Sequence, residues 1–133
     1  MESVVIEPYR IKFKLTSVPP SVNSLYNVIF SMKKVEMKPE VRLWKSKAKM
    51  QIPLWKPSKL GDSGFLYFKM DVYTNLFHKN ESVRKFDVMN MEKVCIDAVC
   101  EKIGLDDKFI VDCHTRKIQA EKEYVEVEIG FTD

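Results

Sequence analysis

An α/β fold, with a small mixed β-sheet of about four strands packed against two main helices, is predicted by three features of the sequence. Apolar and polar residues alternate in two short runs near the chain ends, 10–15 and 124–131, which is the period-two signature of a half-buried strand. Between residues 91 and 99 apolar residues recur at helical spacing, and runs rich in aromatic and β-branched residues stand on either side, at 64–77 and 109–118. The order strand, helix, strand, helix, strand, strand describes a two-layer α/β sandwich. A chain of 133 residues is enough for one domain, 1–133, around a single core.

The elements follow in order. In RIKFKL (10–15), Ile11, Phe13 and Leu15 alternate with Lys12 and Lys14. Pro19-Pro20 then closes the strand, because proline has no N–H to give a ladder. SVNSLYNVIFS (21–31) reads as a loop or a short strand, and its Asn23, Ser24, Tyr26 and Asn27 suit a loop facing nucleic acid. A helix is expected over 39–52, with Pro39 in the first turn, Glu40 at the positive end of the dipole and Pro53 as the stop. Val41, Trp44, Ala48 and Ile52 share its core face, and Arg42, Lys45, Lys47 and Lys49 spread over the rest. Pro53, Pro57, Gly61 and Gly64 mark an irregular connection.

GFLYFKMDVYTNLF (64–77) reads as a long strand with Lys69, Asp71 and Tyr73 on a solvated face, followed by a polar turn at 78–82. After Asp87, the residues Met91, Val94, Cys95, Ala98 and Val99 form a clean apolar helical stripe. Asn90 or Asp87 is the expected N-cap and Gly104 the stop. At about 100° per residue, Asn90, Lys93 and Asp97 gather on the opposite face. FIVDCHTRKI (109–118) and YVEVEIGF (124–131) complete the chain as strands, with 116–122 as a hairpin connection between them.

The net charge of +3 conceals an asymmetry. From 33 to 60 there are nine basic residues against two acidic ones, and from 84 to 133 eight basic against twelve acidic. A basic front half suits a polyanion, and an acidic back half suits a cation. The cationic helix bearing Lys45, Lys47 and Lys49 is accordingly expected along a phosphate backbone. Three cysteines without a CxxC pair, and only two histidines, argue for buried inert thiols and against zinc. No apolar run reaches the ~18 residues of a membrane span, and the first residues lack the pattern of a secretory signal. A cytoplasmic location is expected.

The chemistry concentrates in RKFDVMNMEKVCIDAVCEKIGLDDK (84–108), where Asp87 and the pair Asp106-Asp107 flank one helix. Carboxylates brought together repel one another unless a cation sits among them. Mg²⁺ accepts hard oxygen ligands, and Lys93 on the polar face could offset charge on a phosphate. The same residues also fit a helix cap, a turn before a strand and a surface Lys93–Asp97 ion pair, and spacing does not choose between these.

At this point the sequence resembles the RusA-like Holliday-junction resolvases of bacteria and phages. Their signature is similar to Asp-x-Asp-Asn-x-x-Lys, an Asp-Ala-Leu-like segment, then Asp-Asp before an apolar strand. Here these correspond to DVMNMEK, IDAV and GLDDKFIVD, and Pro19-Pro20-Ser21-Val22-Asn23 matches a Pro-Pro-Ser-x-Asn segment near the N-terminus. The resemblance implies a homodimeric endonuclease nucleoid-associated in a bacterium or phage-encoded, which with Mg²⁺ or Mn²⁺ makes paired nicks in four-way DNA junctions during recombination and repair. It implies Asp87, Lys93 and Asp107 as catalytic residues, and Asp87, Asp107 and Asp106 as metal ligands. Asn23, Arg84, Lys85 and Asn90 join the basic helix in the expected DNA contacts. Ile96 and Cys100, apolar but off the stripe, are candidates for a protomer contact.

One position departs from the signature. Its second aspartate falls on Met89, whose thioether is too soft for Mg²⁺. Activity is expected to survive, since Asp87, Lys93 and Asp107 remain and Asp106, Glu92, Asp97 or water can complete the shell. The alternative is a junction-binding protein without catalysis.

Overall fold

The computed structural model describes residues 4–20, 26–29, 34–56, 64–85 and 88–132, without the side chains of 26–29 and 34–35. A five-stranded sheet carries the fold: β1 (Val5–Glu7), β2 (Arg10–Leu15), β5 (Leu66–Thr74), β6 (Ile110–Gln119) and β7 (Tyr124–Phe131), in spatial order β1-β2-β7-β5-β6. A separate antiparallel hairpin, β3 (Tyr26–Ile29) and β4 (Lys34–Met37), precedes helix α1 (Pro39–Gln51). Helix α2 (Val88–Ile103) joins β5 to β6, which therefore run parallel; every other pair in the sheet is antiparallel.

Alternation decides which face is buried. Ile11, Phe13 and Leu15 of β2, Leu66, Phe68, Met70 and Val72 of β5, and Val125, Val127 and Ile129 of β7 point into one core. Met91, Val94, Cys95, Ala98 and Val99 of α2 are fully buried against it, as the helical stripe predicts, and Val41, Trp44 and Ala48 of α1 join them. At ~1.5–3 kcal/mol for each fully buried large apolar side chain, this single layer is the main stabilising term. Polar ties fix the angle of α1: Trp44 Nε1 donates to the Ser17 carbonyl (3.1 Å), and Gln51 exchanges two hydrogen bonds with Thr16. The opposite face of the sheet carries paired charges, among them Arg116 with Asp71 (2.9 Å).

The small mixed sheet has five strands because β1, too short to show a period, pairs with β2. Of the two forms open for 21–31, loop or short strand, residues 26–29 take the strand, and Asn23 lies outside the described residues. The last two strands are not a hairpin, since β5 lies between β6 and β7. Their connection rounds the end of β5, where the Ala120 N–H donates to the Thr74 carbonyl (3.0 Å) and the Thr74 hydroxyl to Glu123 (2.5 Å).

Candidate active site

Helix α2 organises the site. It begins at Val88, so Asn90 stands inside its first turn and is not the N-cap; Asp87 lies outside the described residues. Lys93 and Asp97, one turn apart, form an ion pair at 3.6 Å. At the far end Gly104 adopts φ +83°, and the N–H groups of Gly104 and Leu105 both donate to the Cys100 carbonyl (2.8 and 3.0 Å). This left-handed stop satisfies the Cys100 carbonyl and turns the chain sharply. Asp106 follows at once as the cap of a single 3-10 turn, Asp107–Phe109, its carboxylate accepting from the Lys108 N–H (3.0 Å).

That turn brings three acids together. Asp97, Asp106 and Asp107 line one open cleft of about 430 Å³, with Cys100, Glu101, Gly104 and Leu105. Asp97 is half-buried at its inner wall, while Asp106 and Asp107 are exposed. Burial pushes the Cys100 thiol up to about 12, and the charges of Asp107, Asp97 and Asp106 add to the effect. Cys100 is buried in the core and Ile96 is half-buried against it. A larger concavity, about 480 Å³, lies on the open sheet face among Lys12, Lys69, Asp71, Arg116, Glu126 and Glu128. Its Asp71, Glu126 and Glu128 are paired with Arg116, Lys12 (3.9 Å) and Arg10 (3.5 Å), whereas in the α2 cleft Asp97, Asp106 (3.8 Å to Lys108) and Glu101 are paired and Asp107 forms no ion pair among the described residues.

The basic helix divides into two sets. Lys45 is 7% exposed, with its Nζ 2.6 Å from Glu101 of α2, and Lys49 bonds the same carboxylate. Burial works to raise the Glu101 carboxyl, but the bonds from Lys45 and Lys49 outweigh it and hold the group below its usual range. Both lysines therefore serve the α1–α2 contact and are not spread over the surface as the sequence suggested. Arg42 and Lys47 are exposed and form no ion pair among the described residues. Arg84 donates to the Asn75 carbonyl (2.9 Å), and Lys85 is exposed.

All the carboxylates of the cleft are hard oxygen donors, which suits Mg²⁺ or Mn²⁺. Among the described residues, however, no three His, Cys, Asp or Glu side chains are placed to hold one ion. Lys85 and Val88 stand at one end of α2 and Asp106 at the other; at 1.5 Å per residue its 16 residues span about 24 Å. Asp97, read from the sequence both as an ion-pair partner of Lys93 and as an oxygen able to complete a metal shell, makes that ion pair and also lines the cleft. Met89, where the signature has an acid, is 82% exposed.

The family model for RusA, described as endodeoxyribonuclease RusA, matches residues 17–130. No curated protein matches the chain. Among the described residues no helix is long and apolar enough to cross a membrane.

Proposed function

The chain belongs to the RusA endodeoxyribonuclease family, and from that premise we propose that it is a Mg²⁺-dependent, homodimeric resolvase that makes paired nicks in four-way DNA junctions. The carrying observation is the gathering of Asp97, Asp106 and Asp107 round one cleft, with Lys93 ion-paired to the innermost of them. In this reading Asp107 and Asp97 hold the ion, Asp106 supports the turn that aims Asp107, and Asp87 is a further essential acid by its place in the signature. Mg²⁺, or Mn²⁺ in its stead, supplies an activated water and stabilisation of the leaving oxygen when bound. Lys93 offsets charge on the non-bridging phosphate oxygens. Arg42, Lys47 and Lys85 hold the flanking backbone, with Asn23, Arg84 and Asn90 beside them; Lys45 and Lys49 act through the helix pair that carries these groups. Two symmetric cuts require two sites related by a two-fold axis, hence the dimer.

The exposed Met89 favours one second reading, a protein that binds junctions without cutting them. Incubation of synthetic four-way junctions with Mg²⁺ separates the two. Cleavage by the wild type, lost in folded Asp87→Asn and Asp107→Asn, supports the nuclease. Salt-sensitive binding without cleavage, unchanged by either substitution, supports the binder.

A further inference from the structure

The loop that leaves the end of β5 on the way to α2 is tied down by hydrogen bonds. Gln119, the last residue of β6, accepts from the Leu76 N–H (2.8 Å) and donates to the Asn75 carboxamide oxygen (3.2 Å). The Arg84 N–H donates to the Leu76 carbonyl (2.7 Å), and its guanidinium to the Asn75 carbonyl (2.9 Å). At the tip the His78 N–H donates to the Ser82 carbonyl (2.8 Å), and Asn80 Oδ1 accepts from both the N–H and the hydroxyl of Ser82 (3.1 and 2.6 Å). Glu81 stands there at φ +69°, a left-handed conformation that the bonds around it hold.

This loop presents apolar side chains and does not bury them. Phe77 and Val83 pair across it as an isolated antiparallel bridge. The backbone bonds from His78 to Ser82 and from Arg84 to Leu76 flank the pair, which makes it the non-hydrogen-bonded kind, where opposed side chains lie closest and on one face. Yet Phe77 is 45% exposed and Val83 67%. Single exposed apolar residues are ordinary, but a cross-strand pair on a loop held this firmly is a presented surface. The same loop carries Lys79 and Lys85, exposed and without an ion pair among the described residues, and the half-buried Arg84, against one acid, Glu81. Lys85 precedes the signature's first aspartate, Asp87, by two residues in sequence. An aromatic ring set among cations suits a nucleic acid with a base open to stacking.

We propose that Phe77, backed by Val83, reads the branch: its ring stacks on a base exposed at the crossing point of a four-way junction, while Lys79 and Lys85 hold the adjoining phosphates. The inference rests on the junction-binding reading above and deepens it by assigning a residue that selects the substrate. Within a continuous duplex both faces of each base are covered by its neighbours, and a ring enters only by unstacking a step. At a branch the stack is interrupted, so the same ring gains its contact without that cost. Phe77 therefore distinguishes junction from duplex, which cations that meet only phosphate do not.

The test reads binding by fluorescence anisotropy in EDTA, where nothing is cut, so failure to cleave does not enter it. Phe77→Ala is expected to raise the Kd for a four-way junction by about tenfold, the size of one base stacked on an aromatic ring, and that for a linear duplex by no more than about twofold. Phe77→Trp keeps junction affinity, and its indole emission is quenched by the junction and not by the duplex; the buried Trp44 and Trp55 give the wild type no such signal. Lys79→Ala weakens both DNAs alike and lowers the salt slope, a change that Phe77→Ala does not share. Circular dichroism confirms folding, and if Phe77→Ala does not fold the quenching of Phe77→Trp decides. Unchanged junction binding by folded Phe77→Ala, equal weakening for junction and duplex, or unquenched emission from junction-bound Phe77→Trp overturns the inference alone. So does a Phe77→Ala protein that alters sedimentation but not junction binding, which assigns the pair to a protein contact. A wild type that binds no junction overturns the inference together with the reading on which it rests.

Discussion

Met89 is the residue on which the chemistry turns. It stands on the first turn of α2 with 82% of its surface exposed, at the place where the family signature has an acid, so a carboxylate there would need no repacking. Met89→Asp is expected to lower the Mg²⁺ concentration giving half-maximal cleavage by about tenfold, equivalent to about 1.4 kcal/mol; an unchanged metal titration would mean that position 89, at the other end of α2 from Asp107, does not reach the ion. Glu101 carries a different prediction. Its carboxyl lies below the usual value of 4.5, against the effect of its burial, because Lys45 and Lys49 bond it. Its stabilising contribution is complete above pH 4.5 and is lost as pH falls through the lower native value, where the unfolded chain takes up the proton first. Glu101→Gln should therefore show a shallower loss of thermal stability below pH 4.5 than the wild type. The Lys93–Asp97 spacing was legible from the sequence, but the fate of Lys45 was not. One charged residue per helical turn looks solvated until a second helix covers it, and no local pattern announces the Glu101 carboxylate fifty-six residues away.

At the scale of elements, α2 shows how a stop signal positions chemistry. Gly104 takes a left-handed conformation, and a Cβ added there would meet no atom within 4 Å. Gly104→Ala therefore carries only the backbone penalty, about 1–2 kcal/mol, measurable by denaturant titration. Cleavage should fall further than stability does, because the acids of 106 and 107 follow that turn. The apolar stripe of α2 and the alternation in β2 and β7 were fully readable, since each records a face that every residue on it must share. The neighbours of β6 were not. A strand's period tells which face is buried but not which strand lies beside it, and the insertion of β5 between β6 and β7 depends on the crossover through α2 and on Thr74 anchoring the connection. Cys113, expected to be buried like Cys95 and Cys100, is exposed because it belongs to this edge strand.

For the whole molecule, one layer of helices covers one face of a mixed sheet, and the acidic cleft and the exposed cations of α1 both belong to that helical layer. Each phosphate contact releases counterions, so Arg42→Ala and Lys47→Ala should each lower the slope of log K against log salt by about one for junction binding. Lys45→Ala should instead destabilise the fold, because it strips a buried partner from Glu101. The measurement that tests the central claim most directly is cleavage of a four-way junction and of a linear duplex of the same sequence across a Mg²⁺ titration, with wild type and Asp107→Asn side by side. Metal-dependent nicking of the junction alone, absent in a folded Asp107→Asn protein that still binds, is the predicted result. A wild type that binds the junction but leaves it whole at every Mg²⁺ and Mn²⁺ concentration would contradict it.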